Sequence, residues 1–200
     1  MINTIIAVDV DDDQLGGFFN SCISDLDIYF KENNHKPRYL NSKQLNVASI
    51  NHFVLNTPNL FFLAYSHGST NELVCNNTPY ISSSINHDIF TNSFFYTCSC
   101  KSAKNLGHAL VQNGCLSFIG YSDNFEIWDF NQPPFVECAN LGAKLFLDGI
   151  TTEEVYTRMI DLYNSHIANY KNDMMGAAIL LSNKRSLKHI GSNLNISHFN

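Results

Sequence analysis

The chain has 200 residues and a mass of 22.6 kDa; hydrophobic residues make up 44%, aromatics 12% and charged residues only 15%. That is enough apolar material for one substantial core, so a single domain over residues 1–200 is expected. A net charge of −6 without any run of Lys or Arg argues against nucleic acid as a partner, since such binding rests on clustered cations that displace counterions.

Residues 4–10 (TIIAVDV) are a short β-branched run that reads as a buried strand, leaving through an acidic loop of Asp9, Asp11, Asp12 and Asp13. Residues 15–33 carry Leu15, Phe18, Phe19, Cys22, Ile23, Leu26 and Phe30 at spacings that place them on one helix face. A strand near 38–40 follows, then a helix from an N-capping Ser42 to about Asn56, ended by Pro58. Residues 59–66 (NLFFLAYS) form the strongest strand pattern and stop at His67-Gly68. A hairpin is expected over 72–81 and a short helix over 82–90. The apolar run 93–97 (SFFYT) is a strand ending at Cys98-Ser99-Cys100, followed by a helix over 102–112 and a third buried strand over 115–121.

Beyond Asp123, a loop with Trp128 and Pro133-Pro134 is long enough to act as a lid over 122–140. Helices over 135–148 and 152–171 and a closing strand pair over 177–182 and 187–190 complete the chain. Strand–helix alternation with continuously apolar strands predicts an α/β fold, a mostly parallel central sheet covered by helices on both faces.

No stretch approaches the roughly 18 apolar residues of a membrane-spanning helix, and the N-terminal apolar run is shorter than the apolar segment of a secretion signal. No membrane partner and a cytoplasmic location are expected. The six cysteines (Cys22, Cys75, Cys98, Cys100, Cys115 and Cys138) fall largely in apolar segments, which fits reduced thiols better than a disulfide scaffold.

Sites in open α/β sheets form outside the carboxyl ends of the strands. Here those ends gather the 9–13 acids, His67-Gly68, Cys98 to Cys100 and Ser122-Asp123 on one rim. A thiol hydrolase needs an ionisable thiol, a proton donor for the leaving group and donors for the oxyanion. Cys100 supplies the thiol, with a helix N-terminus expected just behind it, and His67 on the neighbouring strand supplies the proton. Gly68 lets the backbone approach a substrate carbonyl. The 9–13 run reads as a solvated turn capping the next helix, with a specificity pocket or a calcium site as the alternative. A zinc site from Cys98, Cys100, His67 and Cys75 fits poorly, because Cys-x-Cys lacks the gap usual between ligand cysteines. No cofactor is implied.

Three segments carry a resemblance to a known family: YSHGS over 65–69, FFYTCSCKSA over 94–103 and LGHALVQNGCLSFIGYSD over 106–123. In this order they resemble the core of the caspase-like, clan CD cysteine peptidases, and within them the branch of CHAT-type and gingipain-type enzymes. The closing AAILLSNKRSLKHIG also resembles that branch's last strand pair. The resemblance implies a three-layer caspase-like fold and a cysteine endopeptidase that cuts a protein partner through a His67/Cys100 dyad. It implies an oxyanion held by the N–H groups of Gly68 and Cys100, and Cys100-Lys101-Ser102-Ala103 fits the family's nucleophile flank where Cys98 does not. Two departures stand out. The His–Cys separation is 33 positions, shorter than the caspase spacing of about 50. Where basic-specific relatives carry an acid two positions before the nucleophile, this chain has Cys98. Asp123, Asp9 and Asp11 are then the candidates for substrate binding, or Cys98 itself as the floor of a neutral pocket. A regulatory partner or activator is expected for such an enzyme. The competing expectation is a caspase-like interaction module without turnover.

Overall fold

The computed structural model describes residues 2–170 and 173–199. In chain order the elements are β1 (Asn3–Val8), α1 (Gly16–Glu32), β2 (Arg38–Asn41), α2 (Val47–Leu55), β3 (Leu60–Tyr65), β4 (His67–Gly68), β5 (Glu72–Cys75) and β6 (Thr78–Ser82). They continue with β7 (Ser93–Thr97), α3 (Leu106–Gln112), β8 (Ser117–Tyr121), α4 (Pro133–Leu147), α5 (Thr152–Asn169), α6 (Met174–Ser186) and β9 (Leu187–Gly191).

Six strands form the central sheet in the order β2-β1-β3-β7-β8-β9. The first five run parallel and β9 closes the sheet antiparallel to β8. The alternation of side chains along each strand builds two cores. Ile6, Val8, Phe61, Leu63, Tyr65, Phe94 and Tyr96 face α1, α4, α5 and α6, whereas Ile5, Ala7, Phe62, Ala64 and Phe95 face α2, α3 and the β5–β6 hairpin. The expected mostly parallel α/β sheet, flanked by helices on both faces, is therefore what the chain forms. β4, β5 and β6 make a separate three-stranded antiparallel sheet that leaves the main sheet at His67.

Several local expectations are corrected. Residues 177–182 lie inside helix α6 and not in a strand, so β9 alone closes the sheet. Asp173 caps α6 by accepting the Gly176 N–H at 3.0 Å, and a short apolar run does not by itself distinguish strand from buried helix. The segment 82–90 is mostly turns with one 3₁₀ turn at His87–Ile89. The helix expected from Ser42 is split: a 3₁₀ turn spans Ser42–Gln44, and α2 starts anew with Asn46 accepting the Ser49 N–H. The expected end of α5 at Lys171 lies outside the described residues. No helix among the described residues is long and apolar enough to cross a membrane.

The α4-side core is strongly aromatic. Phe146 packs its ring 4.4 Å from that of Phe94 and 5.0 Å from that of Phe61, locking α4 onto β3 and β7. Phe146→Ala is expected to cost about 3–5 kcal/mol through lost burial and the cavity left behind, read as a lower midpoint of denaturant unfolding with little change in slope.

Candidate active site

The strand order places β2 and β3 on opposite sides of β1, so the crossover direction reverses there, and the carboxyl ends of β1 and β3 are where open α/β sheets place their sites. The turn after β1 and the His67 that follows β3 meet at this point. His67 Nε2 lies 3.1 Å from Asp12 Oδ2. The other oxygen, Asp12 Oδ1, accepts the N–H groups of Gln14 and Leu15 at 2.9 and 2.6 Å, organising the turn into α1. One carboxylate thus organises the turn that leads into α1 and orients the imidazole. Burial pushes the Asp12 carboxyl up, but the two N–H donors and His67 outweigh it, and the group stands below its ordinary value. With Nε2–H directed at Asp12, Nδ1 is the ring nitrogen left for proton transfer.

A set of buried hydroxyls ties the ends of β3 and β7 together beneath the rim. Ser66 Oγ pairs with Tyr80 OH at 2.7 Å and with Ser99 Oγ at 3.4 Å. Ser99 Oγ pairs with Thr97 Oγ1 at 2.9 Å, and Thr97 donates across the sheet to the Ala64 carbonyl at 3.0 Å. Above this row the two backbones touch. A Cβ on Gly68 would fall 2.8 Å from the Cys100 carbonyl oxygen, so only glycine fits there.

Cys100 is partly buried, whereas the other five cysteines are buried, and all six are free thiols. Its sulfur faces the loop between β8 and α4. The Phe125 N–H donates to Sγ at 3.3 Å, and the thiol donates to the Phe125 carbonyl at 3.6 Å. Burial pushes the Cys100 thiol up, and the Phe125 N–H and the Lys101 cation pull it back only in part. The loop expected as a lid over 122–140 does lie against the nucleophile candidate, but it spans only 122–132, because Pro133 already begins α4. Among the described residues no hydrogen bond joins His67 to Cys100; each has its partner elsewhere.

The helix expected directly behind Cys100 is a correction: α3 begins at Leu106, not at Ser102. The intervening N–H groups are claimed by tertiary carbonyls, Lys101 by Asp123, Ala103 by Tyr121, and Asn105 and Leu106 by Thr70. Lys101 takes a left-handed φ of 56°, and buried Ser102 turns its hydroxyl back to the Ser99 carbonyl. A helix terminus therefore does not lower the thiol's pKa. Among the described residues the Cys100 N–H has no backbone acceptor, whereas the Lys101 N–H is committed to the Asp123 carbonyl.

The remaining candidates separate. Cys98 is 2% exposed and donates to the Ala139 carbonyl inside the α4-side core, so it does not floor a substrate pocket. Asp9 is fully enclosed, its carboxylate meeting no hydrogen-bond donor among the described residues, and it too is removed from the substrate-facing set. Cys75 lies beside it, and burial followed by the Asp9 charge pushes that thiol up to about 12. Asp11 is exposed, with its N–H on Ser42 Oγ. Asp123 is exposed and lines a cavity of about 550 Å³ with Lys104, Ser122, Ser182 and Arg185. The proposed zinc ligands diverge, Cys98 toward Ala139, Cys75 toward the Ser42 carbonyl, Cys100 toward Phe125 and His67 toward Asp12. The acidic run, expected as a solvated turn, supplies the partner of His67, and Asp12 is the residue that was not singled out within it. A carboxylate at the strand end neighbouring the histidine was the available signal, but four acids in five positions did not distinguish which one turns inward.

No protein-family model matches the chain, and no curated protein matches it in sequence. Solved structures do match: the crystal structure of the Arg-specific cysteine proteinase gingipain R superposes over 96% of this chain with a TM-score of 0.57 and 12% sequence identity. The chain spans about half the length of that structure, 47%. The likeness establishes the fold, a caspase-like α/β arrangement.

Because the folded state holds Asp12 below its ordinary value, the stability it contributes is full above the unfolded value of 3.8 and fades as pH falls through and below it. Asp12→Asn keeps an oxygen for the Gln14 and Leu15 N–H groups but removes the charge. Its melting temperature is expected to fall below that of the parent chain at neutral pH, and the gap to close as pH drops below about 4, as thermal melts across pH will measure.

Proposed function

We propose that the chain is a cysteine endopeptidase acting on a protein substrate, with Cys100 as nucleophile, His67 as proton shuttle and Asp12 orienting the imidazole. The observation that carries the reading is the convergence at one rim of a carboxylate-partnered histidine and a partly buried thiol, joined by the contact of Gly68 with the Cys100 backbone. The likeness to a cysteine proteinase of the same fold supports the same reading. It bears on the caspase-like fold and not on the branch within it.

The resting thiol is neutral, because burial raises its pKa. Catalysis therefore begins with transfer of the Cys100 proton to His67 Nδ1, and Asp12 stabilises the imidazolium that forms. The thiolate attacks the scissile carbonyl. The Cys100 N–H, with Gly68 beside it, receives the oxyanion. His67 then gives its proton to the leaving amine, forming a thioester that water hydrolyses with His67 acting as base. The cavity lined by Asp123 is the recess assigned to a substrate side chain in this reading, and the 122–132 loop shifts for an extended peptide to reach the sulfur. A cytoplasmic site of action and an activating partner belong to the same proposal.

A second reading, a caspase-like interaction module without turnover, draws on the Phe125 backbone occupying the thiol and on the missing His67–Cys100 hydrogen bond. The two are separated by cleavage assays on a peptide library with purified protein. Cys100→Ala is expected to abolish cleavage and His67→Ala to lower it by about 10²- to 10⁴-fold, while Cys98→Ala retains it. Cleavage that survives Cys100→Ala rejects the enzyme reading, and protein inert to thiol-directed peptidyl electrophiles favours the module.

A further inference from the structure

Asn183, on α6, is fully buried and was not singled out by any sequence pattern. Its side-chain amide grips the backbone of Glu126 at both groups. Oδ1 accepts the Glu126 N–H at 3.0 Å, and Nδ2 donates to the Glu126 carbonyl at 2.7 Å. The first of these bonds matters most for the thiol. The Glu126 N–H and the Phe125 C=O belong to the same planar trans peptide and point in opposite directions. One end of that plane is held by Asn183, and the other receives the Cys100 thiol. The next N–H back along the chain, that of Phe125, points at the same sulfur.

We propose that Asn183 is a positioning residue for Cys100: by fixing the Phe125–Glu126 peptide it holds the Phe125 backbone against the sulfur, so that the adjoining Asn124–Phe125 peptide keeps its N–H on Sγ, where it supports the thiolate. The proposal rests on the reading of Cys100 as nucleophile for its catalytic meaning, but its physical content stands apart from turnover. The loop has other anchors, which do not aim this peptide. The Phe125 ring packs 4.8 Å from Tyr121 and 5.8 Å from Phe18, and Trp128 Nε1 donates to Asp173 Oδ2 at 2.7 Å. Loss of the Asn183 amide should therefore release the peptide's orientation while leaving the loop in place.

Two opposing effects decide the sign. The Phe125 N–H favours the thiolate, and the Phe125 carbonyl, by accepting S–H, favours the thiol. A thiol is a weak donor, whereas a hydrogen bond to an anion is strengthened by its charge, so the N–H contribution prevails. The other groups around the sulfur stay where they are: Lys101 on its own turn, Glu126 on the 122–132 loop and Cys98 at the strand end, with the His67–Asp12 pair across the rim.

The test is the pH dependence of iodoacetamide alkylation at Cys100, read by mass spectrometry of the peptide that carries it. In Asn183→Ala the midpoint is expected to rise by about half a pH unit or more, with the limiting rate at high pH retained. Asn183→Gln keeps the amide but displaces it by one methylene, and should shift the midpoint in the same direction. Ser186→Ala removes a hydroxyl that donates to the Asn183 carbonyl on the same helix, and should leave the midpoint unchanged. A folded Asn183→Ala or Asn183→Gln protein with an unmoved midpoint overturns the proposal, as does an equal shift in Ser186→Ala. If Cys100→Ala leaves peptide cleavage intact while the Asn183 variants still move the midpoint, the enzyme reading fails and the positioning role stands.

Discussion

The pairing of β3 with β7 is the constraint on which the site depends. Leu60 to Ala64 lie in parallel register with Ser93 to Thr97, and every side chain of both strands is buried. Strands covered on both faces can change chemistry only where they leave the sheet, and the register makes these two leave together. The last pair is Ala64 with Thr97; three residues beyond it on each strand stand His67 and Cys100. The row of hydroxyls from Tyr80 through Ser66 and Ser99 to Thr97 fixes the two exits against each other. What the rim presents is thus a consequence of how an apolar sheet must end.

Electrostatics divides the site into two halves held differently. On the histidine side, Asp12 is an anion stabilised by backbone N–H groups and the imidazole, a carboxylate built to stay charged. On the cysteine side, burial favours the neutral thiol, opposed by the Phe125 N–H, the Lys101 cation and the residue's own N–H. A pair prepared in this way does not form a resting ion pair. In the proposed reading the proton is drawn across when substrate displaces the Phe125 backbone from the sulfur, and the 122–132 loop is then part of the chemistry as well as a cover.

The sheet was largely legible because its strands are short, continuous and apolar: residues 59–66 and 93–97 admit little else. His67 and Cys100 were legible for the same reason, as polar punctuation at the ends of those runs. What escaped depended on tertiary partners. The turn 101–105 carries a helix-like sequence, but its N–H groups are taken by Asp123, Tyr121 and Thr70, so the helix starts later. The helix over Met174–Ser186 has a mixed pattern in which the apolar run resembles a strand. Asp12 looked like its acidic neighbours, and only its position in the turn before α1 brings it to His67. Asn183 could not be found from sequence, since its significance lies in a peptide unit 57 positions away.

The central claim is that Cys100 attacks a peptide carbonyl with His67 as its proton partner. The most direct test is a crystal structure of the protein after reaction with a peptidyl electrophile that forms a thiol adduct. The account predicts a covalent bond to Cys100 Sγ, the former carbonyl oxygen on the Cys100 N–H, the His67 ring facing the leaving-group side and the Phe125 backbone withdrawn from the sulfur. An adduct on another cysteine, or one on Cys100 with His67 turned away toward solvent, would contradict it.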